Sequence, residues 1–153
     1  MSDLQLDPRG FIIGCPSCAQ RNRVAFSTRE ARCGRCKSTL SPPSEPIEVP
    51  DAGAFDALVR DARVPVVVDF WAPWCGPCRM VAPELARVAA SNAGPFIVVK
   101  VNTDALPDLG ERFRIRSIPT MTVHAGGREV ARTTGARPAA EIESFVNGAV
   151  GVA

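Results

Sequence analysis

The sequence predicts an α/β protein in which helices flank a mixed central sheet, preceded by a small cysteine-rich segment. Over residues 47–153, short apolar segments alternate with amphipathic helical ones, as in proteins whose helices cover a sheet. One apolar segment, Val66 to Phe70, is nearly all apolar, as a strand buried on both faces must be. Two Cys-x-x-Cys pairs lie within residues 1–40, before this region.

Length and composition allow one ordinary domain and a small appendage. The chain has 153 residues, of which 46% are hydrophobic, so a true core is possible. No apolar run approaches the roughly 18 residues that span a bilayer. The first twenty residues contain two acids and no long apolar stretch, unlike a secretory signal. We therefore expect a cytoplasmic protein with no membrane partner.

The first cysteine set predicts a metal site. It consists of Cys15, Cys18, Cys33 and Cys36, with fourteen residues between the two pairs, close to the spacing of tetracysteine zinc sites. Structural disulfides are rare in the cytoplasm, and so small a segment needs a metal to fold. We expect one Zn²⁺, held by four thiolates in a closed and therefore structural site. Two disulfides, or a second redox pair, are the alternatives.

The N-terminal segment is predicted to be a zinc-ribbon domain of residues 1–40. Residues 1–10 are polar and expected to be loose, whereas Phe11 to Ile13 and Asn22 to Phe26 have strand character. Residues 1–40 carry seven basic and three acidic side chains, a net charge of +4, which four thiolates on Zn²⁺ would reduce. Few aromatic residues interleave with the basic ones, so we expect no nucleic-acid partner.

The proline-rich residues 41–46 are predicted to be a linker, and residues 47–153 a second domain. In this domain, apolar spacing and turn residues predict each element in order. The predicted elements are a strand over Ile47 to Val49, a helix from the N-cap Asp51 to Ala62, the strand Val66 to Phe70, a helix from Gly76 to Asn92 kinked at Pro83, a strand over Phe96 to Val101, a helix from Pro107 to Phe113, a hairpin of Pro119 to Ala125 with Arg128 to Thr134, and a helix from Pro138 to Ala149.

The second cysteine set lies where the strand Val66 to Phe70 leads into the next helix. Cys75 is expected at the first turn of that helix, where unpaired N–H groups and the helix dipole favour a thiolate. Cys78 follows about one turn later, so the two sulfur atoms can close a small disulfide ring. We assign the attack to Cys75, as the more exposed residue, and the resolving step to the deeper Cys78. Pro77 between them suits a helix start and disfavours a metal site.

These residues resemble the thioredoxin family. The resemblance rests on Trp74-Cys75-Gly76-Pro77-Cys78 after an apolar strand, and runs from about Ile47 to Val150. It includes Asp69 in the strand, Lys100 in the next strand, Ile118-Pro119-Thr120 and the hairpin glycines. The upstream cysteines narrow the match to the zinc-bearing, two-domain type called thioredoxin 2.

The resemblance implies a thioredoxin fold and a protein-disulfide reductase. It implies that Asp69 accepts the proton of Cys78, a role that the sequence alone leaves even with that of a structural strand-end acid. It places a cis Pro119 beside the disulfide, with the Ile118 backbone pairing with an extended substrate. Gly76 and Pro77 belong to the same motif.

Two further side chains are assigned from their chemistry. Lys100 is notable because the chain has sixteen Arg and only two Lys, and a lysine suits a place beside a buried acid. Trp74 is expected to be an exposed docking surface, whereas Trp71 packs under the active-site loop. The only histidine, His124, is predicted to be neither a metal ligand nor a general base.

The implied partners are disulfide-containing proteins as substrates and thioredoxin reductase, which uses NADPH, as electron donor. The chain has no Gly-x-Gly-x-x-Gly motif of its own, and we expect a monomer. Two other functions stay open. The zinc thiolates could form a redox-sensing switch or a holdase chaperone, or the ribbon could bind a partner and deliver the second domain to it.

Overall fold

The structure is a computed structural model that describes residues 4–151. It forms a five-stranded mixed sheet between two helical layers, with two small sheets at the amino end. The elements are β1 (Gln5–Asp7), β2 (Gly10–Gly14), β3 (Arg21–Val24), β4 (Ala31–Arg32), β5 (Thr39–Leu40), β6 (Ile47–Glu48), α1 (Ala52–Asp61), β7 (Val66–Trp71), α2 (Gly76–Ser91), β8 (Ile97–Asn102), α3 (Pro107–Arg112), β9 (Thr120–Ala125), β10 (Arg128–Thr134) and α4 (Ala139–Ala149).

The central sheet has the strand order β10-β9-β7-β8-β6. Strands β6, β8 and β7 run parallel, and β9 and β10 add an antiparallel hairpin at the other edge. Strand β7 lies in the middle, which explains why five of its six residues are buried. The sequence predicted each element of this sheet to within about one residue at most ends.

Helices cover both faces of the sheet. Helices α1 and α3 contribute Leu58 and Leu109 to one core, and α2 and α4 contribute Leu85 and Ile142 to the other. Helix α1 begins as predicted, because the Asp51 carboxylate accepts a hydrogen bond from Ala54 N at 2.7 Å. Helix α2 continues through Pro83, where a kink stays a prediction.

The ribbon, residues 4–40, contains the three-stranded sheet β1-β2-β3 and the two-stranded pair β4-β5. The prediction that residues 1–10 are loose is wrong for the described part, because β1 pairs with β2. Leu6 is the reason: one apolar side chain among polar neighbours is only 3% exposed. The predicted strand over residues 22–26 lies instead at Arg21–Val24, and the pair β4-β5 was not predicted.

The ribbon packs on the larger sheet. Leu6, Phe11 and Phe26 belong to the same buried cluster as residues of β6 and α1. Arg63 Nε also donates a hydrogen bond to the carbonyl of Ser27 at 2.6 Å. Burial of aromatic side chains stabilises such a contact, so the ribbon stabilises the face that it covers.

None of the helices within residues 4–151 has both the length and the apolar character that a membrane span requires.

Candidate active site and candidate metal centre

The two cysteines of the second set meet at the amino end of α2. Cys75 is the N-cap of this helix, and its sulfur accepts a hydrogen bond from Cys78 N at 3.2 Å. A disulfide joins Cys75 and Cys78, whose Cα atoms are 5.3 Å apart. The structure therefore confirms the predicted helix start and the predicted ring, in the oxidised form. The position suits a thiolate after reduction, because N–H groups at a helix start stabilise negative charge.

The prediction that Cys75 is more exposed than Cys78 is wrong for this form. The two residues are 3% and 4% exposed. Ala72, Trp71 and Ile118 belong to the same cluster as the two cysteines, and of these three residues only Ile118 comes from a loop distant in sequence. Accessibility therefore does not separate the two roles, and only the N-cap position of Cys75 favours it as the attacking thiol.

A loop with a cis peptide bond lies beside the disulfide. The Ile118–Pro119 bond is cis, as the resemblance implied, and Ile118 O lies 3.7 Å from Cys75 Sγ. Ile118 and Trp74 line an open groove of about 800 Å³ that α3 and the following loop complete. Trp74 is 68% exposed, so the prediction of an exposed apolar side chain is confirmed. The groove can receive an extended chain that approaches the disulfide.

A buried carboxyl group lies on β7, on the sheet face that α2 covers. Asp69 is 1% exposed, and neither carboxylate oxygen has a hydrogen-bond partner in the described structure. Burial raises the pKa of Asp69 to about 7, while Lys100 acts to lower it and Glu48 to raise it. Lys100 is the register partner of Asp69, and its Nζ lies 4.4 Å from the centroid of the Trp71 ring. The lysine thus lies on the strand next to the buried acid, and its role at the site stays a prediction.

Gly76 and Pro77 are exposed at the start of α2. A Cβ atom on Gly76 would meet nothing within 4 Å, so the fold itself does not require glycine there. Pro77 occupies the first turn, where its missing N–H costs nothing.

The sequence did not identify three other residues at the site. Thr103 Oγ1 donates a hydrogen bond to the carbonyl of Trp71 at 3.1 Å, and Asp104 accepts one from Trp74 Nε1 at 3.4 Å. Glu48 lies in register with Lys100. No local signal identifies these residues, because chain segments distant in sequence bring them to the site.

The first cysteine set forms a compact cluster in the ribbon. The four Sγ atoms of Cys15, Cys18, Cys33 and Cys36 lie within 4.8 Å of one another. The closest approaches, 3.5 Å and 3.6 Å, join one cysteine of each pair, and all four are free thiols. Four thiolates at about 2.3 Å from one Zn²⁺ would be roughly 3.8 Å apart, so the cluster fits this ion.

The backbone supports both halves of the cluster in the same way. Ala19 N donates to the carbonyl of Cys15 and Lys37 N to that of Cys33, at 2.9 and 3.0 Å, and both donor residues have positive φ. Backbone N–H groups, foremost that of Cys36, lower the pKa of Cys33 to about 6. Such donors also orient metal ligands. Cys15 and Cys33 are buried whereas Cys36 is exposed.

His124 lies away from both cysteine sets, and its ring contacts the rings of Phe55 and Phe113 edge to face. It is 2% exposed, and its Nε2 lies 2.9 Å from Thr122 Oγ1. Burial lowers its pKa to about 4, so the ring is neutral near pH 7. These contacts describe a core side chain.

Comparisons with known proteins place the site in context. The family model described as Thioredoxin matches residues 46–148. "Thioredoxin C-3" of Corynebacterium nephridii is 40% identical over 140 residues, or 90% of this chain and 94% of that protein. "Thioredoxin 1" of Chlorobaculum tepidum is 44% identical over 100 residues, or 65% of this chain and 99% of that protein.

Solved structures agree with the sequence comparisons. A chloroplastic thioredoxin z matches with a TM-score of 0.63 and 33% identity, covering 70% of this chain and 96% of that one. The Corynebacterium relative covers too much of this chain to match the central sheet alone, so the similarity extends into the ribbon.

Proposed function

Because this chain belongs to the thioredoxin family and is therefore a protein-disulfide oxidoreductase, we propose that it reduces disulfides in other proteins, with Cys75 attacking and Cys78 resolving. One observation carries the assignment of roles: Cys75 is the N-cap of α2 and its sulfur accepts the Cys78 N–H. A thiolate at this atom is stabilised before any substrate binds.

The reaction takes place in two exchanges. The Cys75 thiolate attacks one sulfur of the substrate disulfide, so that a mixed disulfide forms and the other substrate sulfur leaves as a thiolate. Cys78 then attacks Cys75 Sγ, which breaks the mixed disulfide and releases the reduced substrate. Two electrons pass to the substrate, and Cys75 and Cys78 end as a disulfide, as in the structure. We propose that thioredoxin reductase returns the electrons from NADPH.

Asp69 accepts the proton of Cys78 in this proposal. A base works best when its pKa is near the working pH, and the pKa of Asp69 is about 7. Both carboxylate oxygens lack hydrogen-bond partners among the described residues, so they are available to a water molecule or a thiol. Lys100 stabilises the carboxylate form. The proton leaves to solvent after each turnover.

Substrate binds in the groove beside the disulfide. An extended segment pairs with the backbone at Ile118, next to the cis Pro119, while Trp74 offers an apolar contact. Backbone pairing reads chain shape and little side-chain sequence, which suits many protein substrates. Gly76, without a side chain, leaves room at the approach to Cys75.

Trapping of the mixed disulfide tests the assignment of roles. The Cys78→Ser variant, reduced and mixed with a disulfide-containing protein, should accumulate a covalent adduct visible by mass spectrometry, because the second exchange is blocked. The Cys75→Ser variant is the matched control and should form little adduct. Adduct formation by Cys75→Ser alone would show that the roles are reversed.

We propose that Cys15, Cys18, Cys33 and Cys36 bind one structural Zn²⁺. The mutual distances of the four sulfurs and the two matching backbone turns support this ion. When bound, it supplies the stabilisation that so small a ribbon lacks, and it takes no part in the disulfide exchange. The similarity to the Corynebacterium relative beyond the central sheet is consistent with a ribbon as part of the protein.

We further propose that residues 1–40 and 47–153 are two domains joined by residues 41–46, and that the protein acts in the cytoplasm. A reducing compartment keeps the four ribbon thiolates available for zinc. We expect a monomer.

The exposure of Cys36 favours one second candidate, a redox-sensing zinc switch or holdase. An oxidant can reach this thiolate, and Cys15 Sγ lies 3.5 Å from it, so a disulfide could form and release the metal. Native mass spectrometry before and after mild peroxide separates the two functions. If the protein retains zinc and its mass falls by two hydrogen atoms, which is one disulfide, the result supports the reductase with a structural ribbon. If zinc is released and the mass of the protein falls by six hydrogen atoms, the result supports the switch.

A further inference from the structure

Glu48 lies beside the residues of the proposed proton transfer. In the central sheet, Glu48 on β6 is the register partner of Lys100 on β8, and Lys100 is the register partner of Asp69 on β7. Register partners on neighbouring strands carry their side chains on the same face. The three charged side chains therefore form a row across three strands. Neighbouring core residues show that this face is the one covered by α2 and α4.

The ammonium group of Lys100 lies over an aromatic ring between the two carboxyl groups. Its Nζ is 4.4 Å from the centroid of Trp71, which follows Asp69 by two residues on the same strand and face. Among residues 4–151, Lys100 forms no salt bridge. Neither Glu48 nor Asp69 thus forms an ion pair with Lys100, although the charge of Lys100 acts to lower the pKa of both carboxyl groups.

Few other charges act on Asp69. Strand β9 presents Met121 as its register partner, and this side chain carries no charge. The disulfide of Cys75 and Cys78 at the start of α2 is likewise uncharged in this form. The charges that act on its pKa are those of Lys100 and Glu48. The pKa of Asp69 therefore depends on the balance between the Lys100 ammonium and the Glu48 carboxylate.

Glu48 occupies the open edge of the row. Glu48 is an exposed residue, yet partial removal of its carboxyl group from water raises its pKa. Lys100 and Trp71 act to lower this pKa. The Trp71 indole nitrogen is buried without a hydrogen bond of standard geometry in the described structure. Because Glu48 lies on the edge strand, its carboxylate attracts Lys100 from the solvent side of the row.

We propose that Glu48 is a positioning residue for the resolving step, because it draws the Lys100 ammonium towards the sheet edge and limits the neutralisation of the Asp69 carboxylate. This inference rests on the proposed function of Asp69 as the proton acceptor. With Glu48 ionised, the Asp69 carboxylate accepts the proton of the Cys78 thiol near neutral pH. It then releases this proton to solvent. Without this charge, Lys100 moves towards Asp69 and the carboxyl becomes a weaker base.

The experiment is a carbon NMR titration of the Asp69 carboxyl group in the oxidised full-length protein. Glu48→Gln should lower the Asp69 titration midpoint by about 0.3 to 1 pH unit, because Lys100 is then free to move towards Asp69. Direct repulsion between Glu48 and Asp69, which lie two strands apart at a total of about 9.5 Å, should supply the smaller part of this shift. Glu48→Asp should bring the midpoint most of the way back, because the charge returns. Glu45→Gln removes a charge from the nearby linker and should leave the midpoint unchanged. An unchanged midpoint in Glu48→Gln, with an intact fold, overturns the proposal.

A second background shows whether Glu48 acts through the lysine. In a Lys100→Met protein, Glu48→Gln should change the Asp69 midpoint by less than half as much as in the native background. An equal change in both backgrounds means direct repulsion, and it overturns the positioning role. These comparisons do not depend on catalysis, so they can fail while the reductase function stands.

Single-turnover kinetics complete the test. The pH midpoint of the resolving rate should fall in Glu48→Gln together with the Asp69 midpoint. If the NMR midpoint moves while the pH profile of the rate does not, Asp69 is not the acceptor. That result overturns the proposed role of Asp69, and the role of Glu48 in the resolving step with it.

Discussion

Replacing Asp69 by asparagine should stabilise the protein at neutral and alkaline pH while slowing its chemistry. The carboxyl is 1% exposed and both oxygens lack hydrogen-bond partners among the described residues. Ionising such a group in the folded state is costly, because burial disfavours the charged form. Asparagine has nearly the same shape and no charge, so it removes this cost.

The magnitude follows from the difference in pKa between the folded and unfolded states. The ordinary pKa of Asp is 3.8, and burial raises that of Asp69 to about 7. Between these values the folded state holds a proton that the unfolded state has lost, so the native protein loses stability as the pH rises. About 3 pH units correspond to about 4 kcal/mol, at roughly 1.4 kcal/mol per unit. That is a large fraction of a typical domain's stability.

Urea unfolding of the oxidised proteins between pH 4 and 8.5 measures this difference. The free energy of unfolding of Asp69→Asn minus that of the native protein should be near its lowest value at pH 4. It should rise steadily to about pH 7 and then level off, about 4 kcal/mol higher. Most other titrating groups cancel in the difference.

Asp61→Asn is the control. Asp61 is exposed, and its hydrogen bond with Arg60 lowers its pKa, so both states are ionised above pH 5 and its difference curve should be flat there. A flat curve for Asp69→Asn would refute the argument, since it would mean that Asp69 has an ordinary pKa.

In single-turnover assays Asp69→Asn should slow the resolving step on the order of 10²-fold, as expected for loss of a general base.

Three further predictions follow from burial and packing. Burial lowers the pKa of His124 from 6.5 to about 4, so the native protein should lose stability as the pH falls between these values, and His124→Gln should remove that part of the slope in urea unfolding. Phe11→Ala should lower the free energy of unfolding by about 3 kcal/mol, because Phe11 is buried where the ribbon meets the sheet. The control Val130→Ala, at a side chain 38% exposed, should change this free energy by less than about 0.5 kcal/mol. Equal losses in the two variants would contradict docking of the ribbon. Trp74→Ala should reduce kcat/KM for protein disulfides and leave the melting temperature unchanged, because the side chain is 68% exposed; unchanged kinetics would exclude it from docking.

Local patterns in the sequence were sufficient for the elements of residues 47–149 and for the reactive groups. The apolar run of β7, the Asp51 N-cap and Pro77 in the first turn each act through neighbours in the chain, so the strand and the helix starts could be predicted. The cysteine spacings likewise indicated a redox ring and a four-sulfur cluster, because a short loop restricts where both thiols of a pair can lie.

The relations between distant segments were decided only by the tertiary structure. The burial of Leu6 depends on contacts with a sheet that begins some forty residues later. The equal burial of Cys75 and Cys78 depends on a loop at Ile118. The row of Glu48, Lys100 and Asp69 depends on the register of three parallel strands. Burial and electrostatic coupling are set by which atoms surround a group, and neighbours in space that are remote in the chain leave no local pattern.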